Sequence, residues 1–169
     1  MPAIDIFLQP GEFFFGDRDT RIRTLLGSCV AITLWHARLR IGGMCHYMLP
    51  QRKSRRGGEG GAGPDGRYAD EAVQLFLREI AVSGTRVQDY QAKLFGGGSM
   101  FAPQRRGQFT DVPNQNMEAG RALLAAHGFS VQAEDLGGQG HRQIIFDIDS
   151  GAVWVRRHAL QPSTAKEAS

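Results

Sequence analysis

Apolar and polar residues alternate from the start of the chain. Ile4, Ile6 and Leu8 share one parity, and Pro10-Gly11 then turns the backbone, which predicts a strand and a return strand over Glu12 to Phe15. Arg21 to Leu26 reads as a further short strand, broken by Gly27-Ser28. Cys29 to His36 and Leu39 to Leu49 are apolar, β-branched runs, the second closed by Pro50. The period changes after Tyr68. Ala69, Ala72, Val73, Phe76 and Ile80 recur at the spacing of one helix face, and Ser83-Gly84 stops the run. Gln91 to Phe95 returns to strand character and runs into Gly96-Gly97-Gly98. Asn114 is the expected N-cap of a second helix through His127, with Gly128 as its stop. Strands are expected over Ser130 to Leu136, Gln143 to Asp147 and Ala152 to Val155, with a hairpin turn from Asp147 to Gly151.

Many short strands and two helices, without regular βαβ alternation, predict an α+β fold: a layered sandwich of largely antiparallel β-sheet with two main helices packed on it. The patterned region, residues 1–158, is expected to form a single domain, followed by a flexible tail over 159–169. Within it, 51–67 is rich in glycine and arginine and lacks large apolar residues, the composition of a mobile loop. A solvated loop is the plain reading; a lid or a docking loop for an acidic partner is the sharper one.

Composition narrows the function. The chain has 169 residues, 41% of them hydrophobic, and a formal net charge of +3, too mild to imply nucleic acid. Two cysteines, Cys29 and Cys45, give no disulfide framework and fit a reducing compartment. Neither a signal-peptide pattern nor a membrane-length apolar run is present, so membrane insertion is not expected and the expected address is the cytoplasm.

The chemistry concentrates in one predicted hairpin. With Ala37-Arg38 as a two-residue turn, Trp35 opposes Arg40, Thr33 opposes Gly42, Ala31 opposes Met44, and Cys29 opposes His46. Opposed residues share a face, so thiol and imidazole fall within reach of each other, whereas an odd slip separates them. A free thiol is mostly protonated at neutral pH; a neighbouring imidazole can take its proton and then stabilise the thiolate. Gly27-Ser28 lets the backbone turn sharply before Cys29, and its N–H groups are candidates for holding the oxygen of a tetrahedral intermediate. Gly42 and Gly43 leave the strand bare for a substrate chain, or mark a bulge. Cys45 faces the other side, opposed to Val30, as a core residue. Metal binding by Cys29, Cys45 and His46 is disfavoured because adjacent strand residues diverge, and no metal is expected.

These residues resemble a known family. Leu25-Leu26-Gly27-Ser28-Cys29-Val30-Ala31 is similar to the nucleophile motif of the CheD family, and Gly42-Gly43-Met44-Cys45-His46-Tyr47-Met48-Leu49-Pro50 to its histidine motif. Tyr68-Ala69-Asp70, Ala92 to Gly98 with Met100, Asp135-Leu136-Gly137-Gly138 and the run from Arg142 to Val155 follow in family order, so the resemblance spans roughly residues 10–157. It implies an α+β sandwich and a cytoplasmic enzyme that converts glutamines of methyl-accepting chemotaxis receptors to glutamate, releasing ammonia. Cys29 then corresponds to the nucleophile and His46 to the base, with no cofactor. Some family members also hydrolyse glutamate methyl esters or bind a CheC-type phosphatase.

The chain departs from the family in places. The third catalytic position, six residues before the cysteine and typically Thr or Ser, is Arg23 here, and the adjacent Thr24 is expected to point the other way, so the orienting group is unassigned. That departure motivates the alternative of a non-catalytic chemotaxis module docking on receptors or on a CheC-type phosphatase. Before the second helix, Val112-Pro113-Asn114-Gln115-Asn116 keeps only the Asn116 end of the family pattern. Gly96-Gly97-Gly98-Ser99 lacks the lysine pattern of a phosphate loop and reads as a tight turn near the site. Asp147 and Asp149 read as turn residues, and His127 as a helix-end residue.

Overall fold

The computed structural model describes residues 3–53, 63–101 and 111–160. Most of the segment expected to form a mobile loop over 51–67, and nearly all of the tail expected over 159–169, lie outside the described residues. The elements run β1 (Ile4–Leu8), β2 (Phe13–Asp17), β3 (Thr20–Leu26), β4 (Val30–His36), β5 (Ile41–Tyr47), α1 (Ala69–Val82), β6 (Tyr90–Gly96), α2 (Val112–Ala126), β7 (Ser130–Leu136), β8 (His141–Asp147) and β9 (Val153–His158). They form two sheets, one in the order β1-β3-β8-β9 and a second in the order β2-β5-β4-β6-β7. Among the named strands of the described residues, β1 with β3 and β6 with β7 pair in parallel and the other pairs are antiparallel, so the largely antiparallel α+β class expected from the pattern is the one observed.

The layers are helix, sheet, sheet. One apolar cluster joins Val30, Ile32, Leu34, Cys45 and Tyr47 of the second sheet to Ala72, Val73, Phe76 and Ile80 of α1 and Leu124 of α2. A second cluster lies between the sheets and gathers Leu8, Ile22, Leu26, Ala31, Met44, Phe95, Ile144 and Phe146. Each large side chain sealed in these layers contributes about 1.5–3 kcal/mol relative to exposure. The period-2 pattern of β3 produces this directly: Thr20, Ile22, Thr24 and Leu26 are buried, whereas Arg21 and Leu25 are exposed.

Three expectations change in detail. The strand over 13–17 is not the hairpin partner of β1: β1 pairs with β3, β2 pairs with β5, and the Pro10-Gly11 corner carries the chain between the sheets. Gly11 has φ 87°, in the region that suits glycine, and its N–H donates to the His46 carbonyl at 2.7 Å. The second helix starts at Val112 after Asp111, with Pro113 tolerated in its first turn. Asn114 therefore lies inside the helix, where its Nδ2 donates to Asp111 Oδ2 at 2.6 Å. Gly42 and Gly43 neither form a bulge nor bare a substrate path. Both are buried in a continuous ladder, where a Cβ would collide with the carbonyls of Leu34 and Phe14.

Two of the arginines that flank the glycine-rich segment are internally paired. Arg52 Nη2 meets Glu71 Oε1 at 2.7 Å, and Arg67 Nη2 meets Asp65 Oδ2 at 2.6 Å. These two arginines are thus engaged within the chain rather than held out for an acidic partner.

Candidate active site

The hairpin of β4 and β5 carries both candidate residues, in a register different from the simplest one. Its turn spans Ala37 to Arg40, with Arg40 at φ 52° and its N–H donating to His36 O at 2.8 Å. His36 pairs with Ile41, so His46 opposes Ala31, not Cys29, and Cys45 opposes Ile32, not Val30. The correction is a shift of two residues, which preserves the face of every side chain. Cys29 packs against the inter-sheet cluster that includes Ala31 and Met44, and the His46 ring reaches into the same layer. Cys45 is sealed on the helix side, where burial pushes its thiol up to about 12.

A third residue completes the group. Thr24 on β3 faces inward, is fully buried, and sets its Oγ1 2.6 Å from His46 Nδ1. Arg23 points outward, with Nε 3.7 Å from Asp5. The expectation that Thr24 points away is therefore overturned: Thr24 shares the inward phase of Ile22 and Leu26, and that alternation was the available signal.

Proton counting then fixes the imidazole. The single hydroxyl proton of Thr24 is donated to Leu8 O at 2.9 Å, so Oγ1 can only accept from His46. Nδ1 carries the ring proton and Nε2 keeps its lone pair. Burial lowers the His46 pKa from 6.5 to about 4, so this lone pair is available across the neutral range. Burial raises the Cys29 thiol from its ordinary value, opposed by a hydrogen bond from the Ser28 side chain. At rest the pair is thus a neutral thiol and a neutral imidazole.

The backbone before Cys29 is clamped. Gly98 N–H donates to Gly27 O and Gly97 N–H to Cys29 O, both at 2.9 Å, while Asn116 Nδ2 donates to Ser28 O at 3.2 Å. Three successive carbonyls are committed in this way, and none of these bonds consumes an N–H of the Gly27-Ser28-Cys29 turn. The triple glycine does act as a tight turn at the site: Gly96 has φ 114° and Gly97 has φ 66°, and a Cβ on Gly96 would strike Cys29 O. Arg142, buried on β8, holds that turn from behind, with Nη1 donating to Gly96 O at 3.1 Å, Nη2 to Gly137 O and Nε to Asp135 Oδ1 at 2.8 Å. A cavity of about 430 Å³ opens beside the turn, lined by Ser28, Gly97, Met100, Asn114, Met117 and Gly138 among others. Among the described residues no group of three or more His, Cys, Asp or Glu is placed to hold a metal ion.

In this helix–sheet–sheet α+β arrangement a thiol, an imidazole and a hydroxyl that fixes its tautomer lie in one layer, a set of groups suited to acyl-transfer chemistry. Comparison with known proteins narrows that class. The family model described as CheD chemotactic sensory transduction matches residues 48–157. A probable chemoreceptor glutamine deamidase CheD 3 of Dechloromonas aromatica is 52% identical over 151 residues, 89% of this chain and 86% of that protein. A probable chemoreceptor glutamine deamidase CheD 1 of Chromobacterium violaceum is 49% identical over 90% of this chain and 77% of its own length. A probable chemoreceptor glutamine deamidase CheD of Pseudomonas savastanoi pv. phaseolicola is 49% identical over 93% and 86%. This chain belongs to the CheD family. The family-model match begins after His46, but the relatives leave too few residues uncovered for Cys29 or His46 to fall outside them. Among solved structures, the hypothetical protein YfiH of Bacillus licheniformis aligns with a TM-score of 0.42 and 12% identity over 73% of this chain and 49% of that one.

Proposed function

We propose that this chain deamidates glutamines on the cytoplasmic helices of methyl-accepting chemotaxis receptors, with Cys29 as nucleophile, His46 as base and then acid, and Thr24 holding the imidazole. The observation that carries the reading is the proton count at His46, which leaves Nε2 unprotonated in the layer that also holds Cys29. Its relatives' names supply the substrate.

The steps follow from these groups. Nε2 takes the thiol proton as Sγ bonds to the side-chain carbonyl carbon, and the carbonyl oxygen becomes an oxyanion facing the N–H groups of Gly27, Ser28 and Cys29. The imidazolium gives its proton to the amide nitrogen, the C–N bond breaks and ammonia leaves. Water then yields a proton to Nε2 while its oxygen adds to the thioester carbon. The C–S bond breaks, sulfur recovers the proton, and glutamate remains. Because the resting pair is neutral, the attacking thiolate is generated within the site by transfer of the thiol proton to Nε2. Each turnover adds a negative charge to the receptor helix.

The departure at Arg23 no longer favours a module without chemistry, because Thr24 supplies the missing hydroxyl from the next position. Docking on a CheC-type phosphatase and residence in the cytoplasm belong to the same proposal.

The test incubates receptor cytoplasmic fragments with wild type and with Cys29→Ala, reading ammonia and the mass change of amide-to-acid exchange. Wild type is expected to convert specific glutamines and the variant to convert none; equal rates overturn the reading. A glutamyl methyl ester assayed alongside reports whether methanol also serves as leaving group.

A further inference from the structure

Asn116 lies in the helix layer, yet it touches both halves of the site. It is fully buried on α2, and its Nδ2 donates to Ser28 O at 3.2 Å and to Met48 O at 2.9 Å. Ser28 immediately precedes the candidate nucleophile, and Met48 lies two residues beyond the candidate base. A single amide nitrogen therefore spans the entry to β4 and the exit from β5, where the thiol and imidazole are carried. The opposite amide orientation would set Oδ1 against two carbonyl oxygens, so the backbone itself fixes which atom faces inward. Oδ1 is buried without a hydrogen-bond partner among the described residues.

The helix is locked in place reciprocally. Tyr47, the neighbour of His46, donates its hydroxyl to the Asn116 carbonyl at 2.5 Å. Gly120, one turn further along α2, lets that hydroxyl approach, since a Cβ there would collide with it. Donors thus run from strand to helix through Tyr47 and from helix to strand through Asn116. Any sliding of α2 shifts the spacing between the Cys29 turn and the end of β5.

We propose that Asn116 is a positioning residue, an amide clasp that sets the approach of Cys29 to His46 from the far side of the sheet. This rests on the thiol–imidazole reading above, and the experiment separates the two. Asn116→Ala removes both donors, and Asn116→Ser offers one hydroxyl donor on a shorter arm. With receptor fragments, Asn116→Ala is expected to lower kcat by roughly tenfold to a hundredfold with KM little changed, as a small misplacement does, and Asn116→Ser to recover part of the loss. A second readout needs no deamidase activity: the rate of Cys29 alkylation by iodoacetamide in wild type, Asn116→Ala, His46→Ala and the double variant.

If the clasp acts through the pair, the alkylation rate drops in each single variant and the second substitution adds little to the first. Additive effects, or an Asn116→Ala rate equal to wild type in folded protein, overturn the proposal. If both Asn116 variants fail to fold, the residue is a structural clasp and the proposal also falls. A wild type inactive on receptors but non-additive in alkylation would sink the substrate assignment and leave the positioning role standing.

Discussion

Thr24 and His46 meet across the two sheets, hydroxyl to Nδ1 at 2.6 Å, in a buried contact that also ties the Leu8 carbonyl. Three strands that are distant in sequence thereby decide which nitrogen of one imidazole carries the proton. Thr24→Val keeps the shape and removes the hydroxyl. The ring is then free to move its proton to Nε2, which withdraws the lone pair from the thiol. A fall in kcat of roughly 10²-fold is expected, with a stability loss of about 1–3 kcal/mol from the buried groups left unpaired. Thr24→Ser restores the hydroxyl and should recover both. Kinetics and urea melts on the two variants check this; unchanged kcat in Thr24→Val refutes the orienting role.

The same burial predicts acid sensitivity of the fold. Folding lowers His46 from 6.5 to about 4, so between those values the unfolded chain binds the extra proton and the folded chain does not. The contribution is intact above pH 6.5, falls as pH drops through the window, and is lost below about 4. The full span corresponds to about 3 kcal/mol. His46→Gln should flatten that part of the stability profile. Urea midpoints at the two ends of the window, compared between wild type and variant, give the answer, and parallel profiles would contradict it.

Some of this was legible in the sequence and some was not. The inward phase of Thr24 is written in the alternation of Ile22 and Leu26 with Arg21 and Arg23, yet counting back from the cysteine points to Arg23. The inward face of His46 was readable because the register error was even, and Cys29, just before β4, packs against the same inter-sheet cluster. The turn length was not, because Ala37 to Arg40 has no Asn-Gly signature and closes with the His36 ring accepting the Leu39 N–H at 3.1 Å. The separation of β1 from β2 was also hidden. Two strands joined by a Pro-Gly corner read as a hairpin, and only long-range pairing with β3 and β5 sends them to different sheets. The contacts of Asn116 and Arg142 with distant carbonyls leave no periodic trace at all.

Activity should show an acid limb in an unusual place. If His46 must be neutral to accept the thiol proton, kcat/KM reports its pKa in the free enzyme. Lowered to about 4 by burial, it leaves the base competent well below the ordinary histidine range. Deamidation of receptor fragments is expected to hold its rate as pH falls past 6.5, until the fold itself gives way. A limb at or above 6.5 would show that His46 is solvated during catalysis and that the neutral resting pair is wrong.

The two arginines on Asp135 should differ in weight. Arg142 is buried, with Nε 2.8 Å from the carboxylate, whereas Arg157, at 2.7 Å, has a side chain 58% exposed. Arg157→Ala is expected to cost no more than about 1 kcal/mol, as exposed pairs do. Asp135→Ala strands the buried guanidinium and is expected to cost about 3–5 kcal/mol. Because Arg142 also holds the Gly96 and Gly137 carbonyls, Asp135→Ala should slow turnover as well. Denaturation midpoints and kcat for both variants test this ordering; equal costs would mean the buried arginine is stabilised by those carbonyls alone.

The two thiols should be chemically distinct in the native protein. Cys29 is partly exposed at the head of β4, while Cys45 is buried with its pKa pushed up to about 12. The thiolate is the reactive species, so Cys45 lacks both access and ionisation at neutral pH. Native protein treated with iodoacetamide is expected to take one label, at Cys29, and to lose deamidase activity in step with labelling. Denatured protein should take two. Peptide mapping after short exposure separates the cases, and rapid native labelling at Cys45, or full activity with Cys29 blocked, would remove Cys29 from the nucleophile's role.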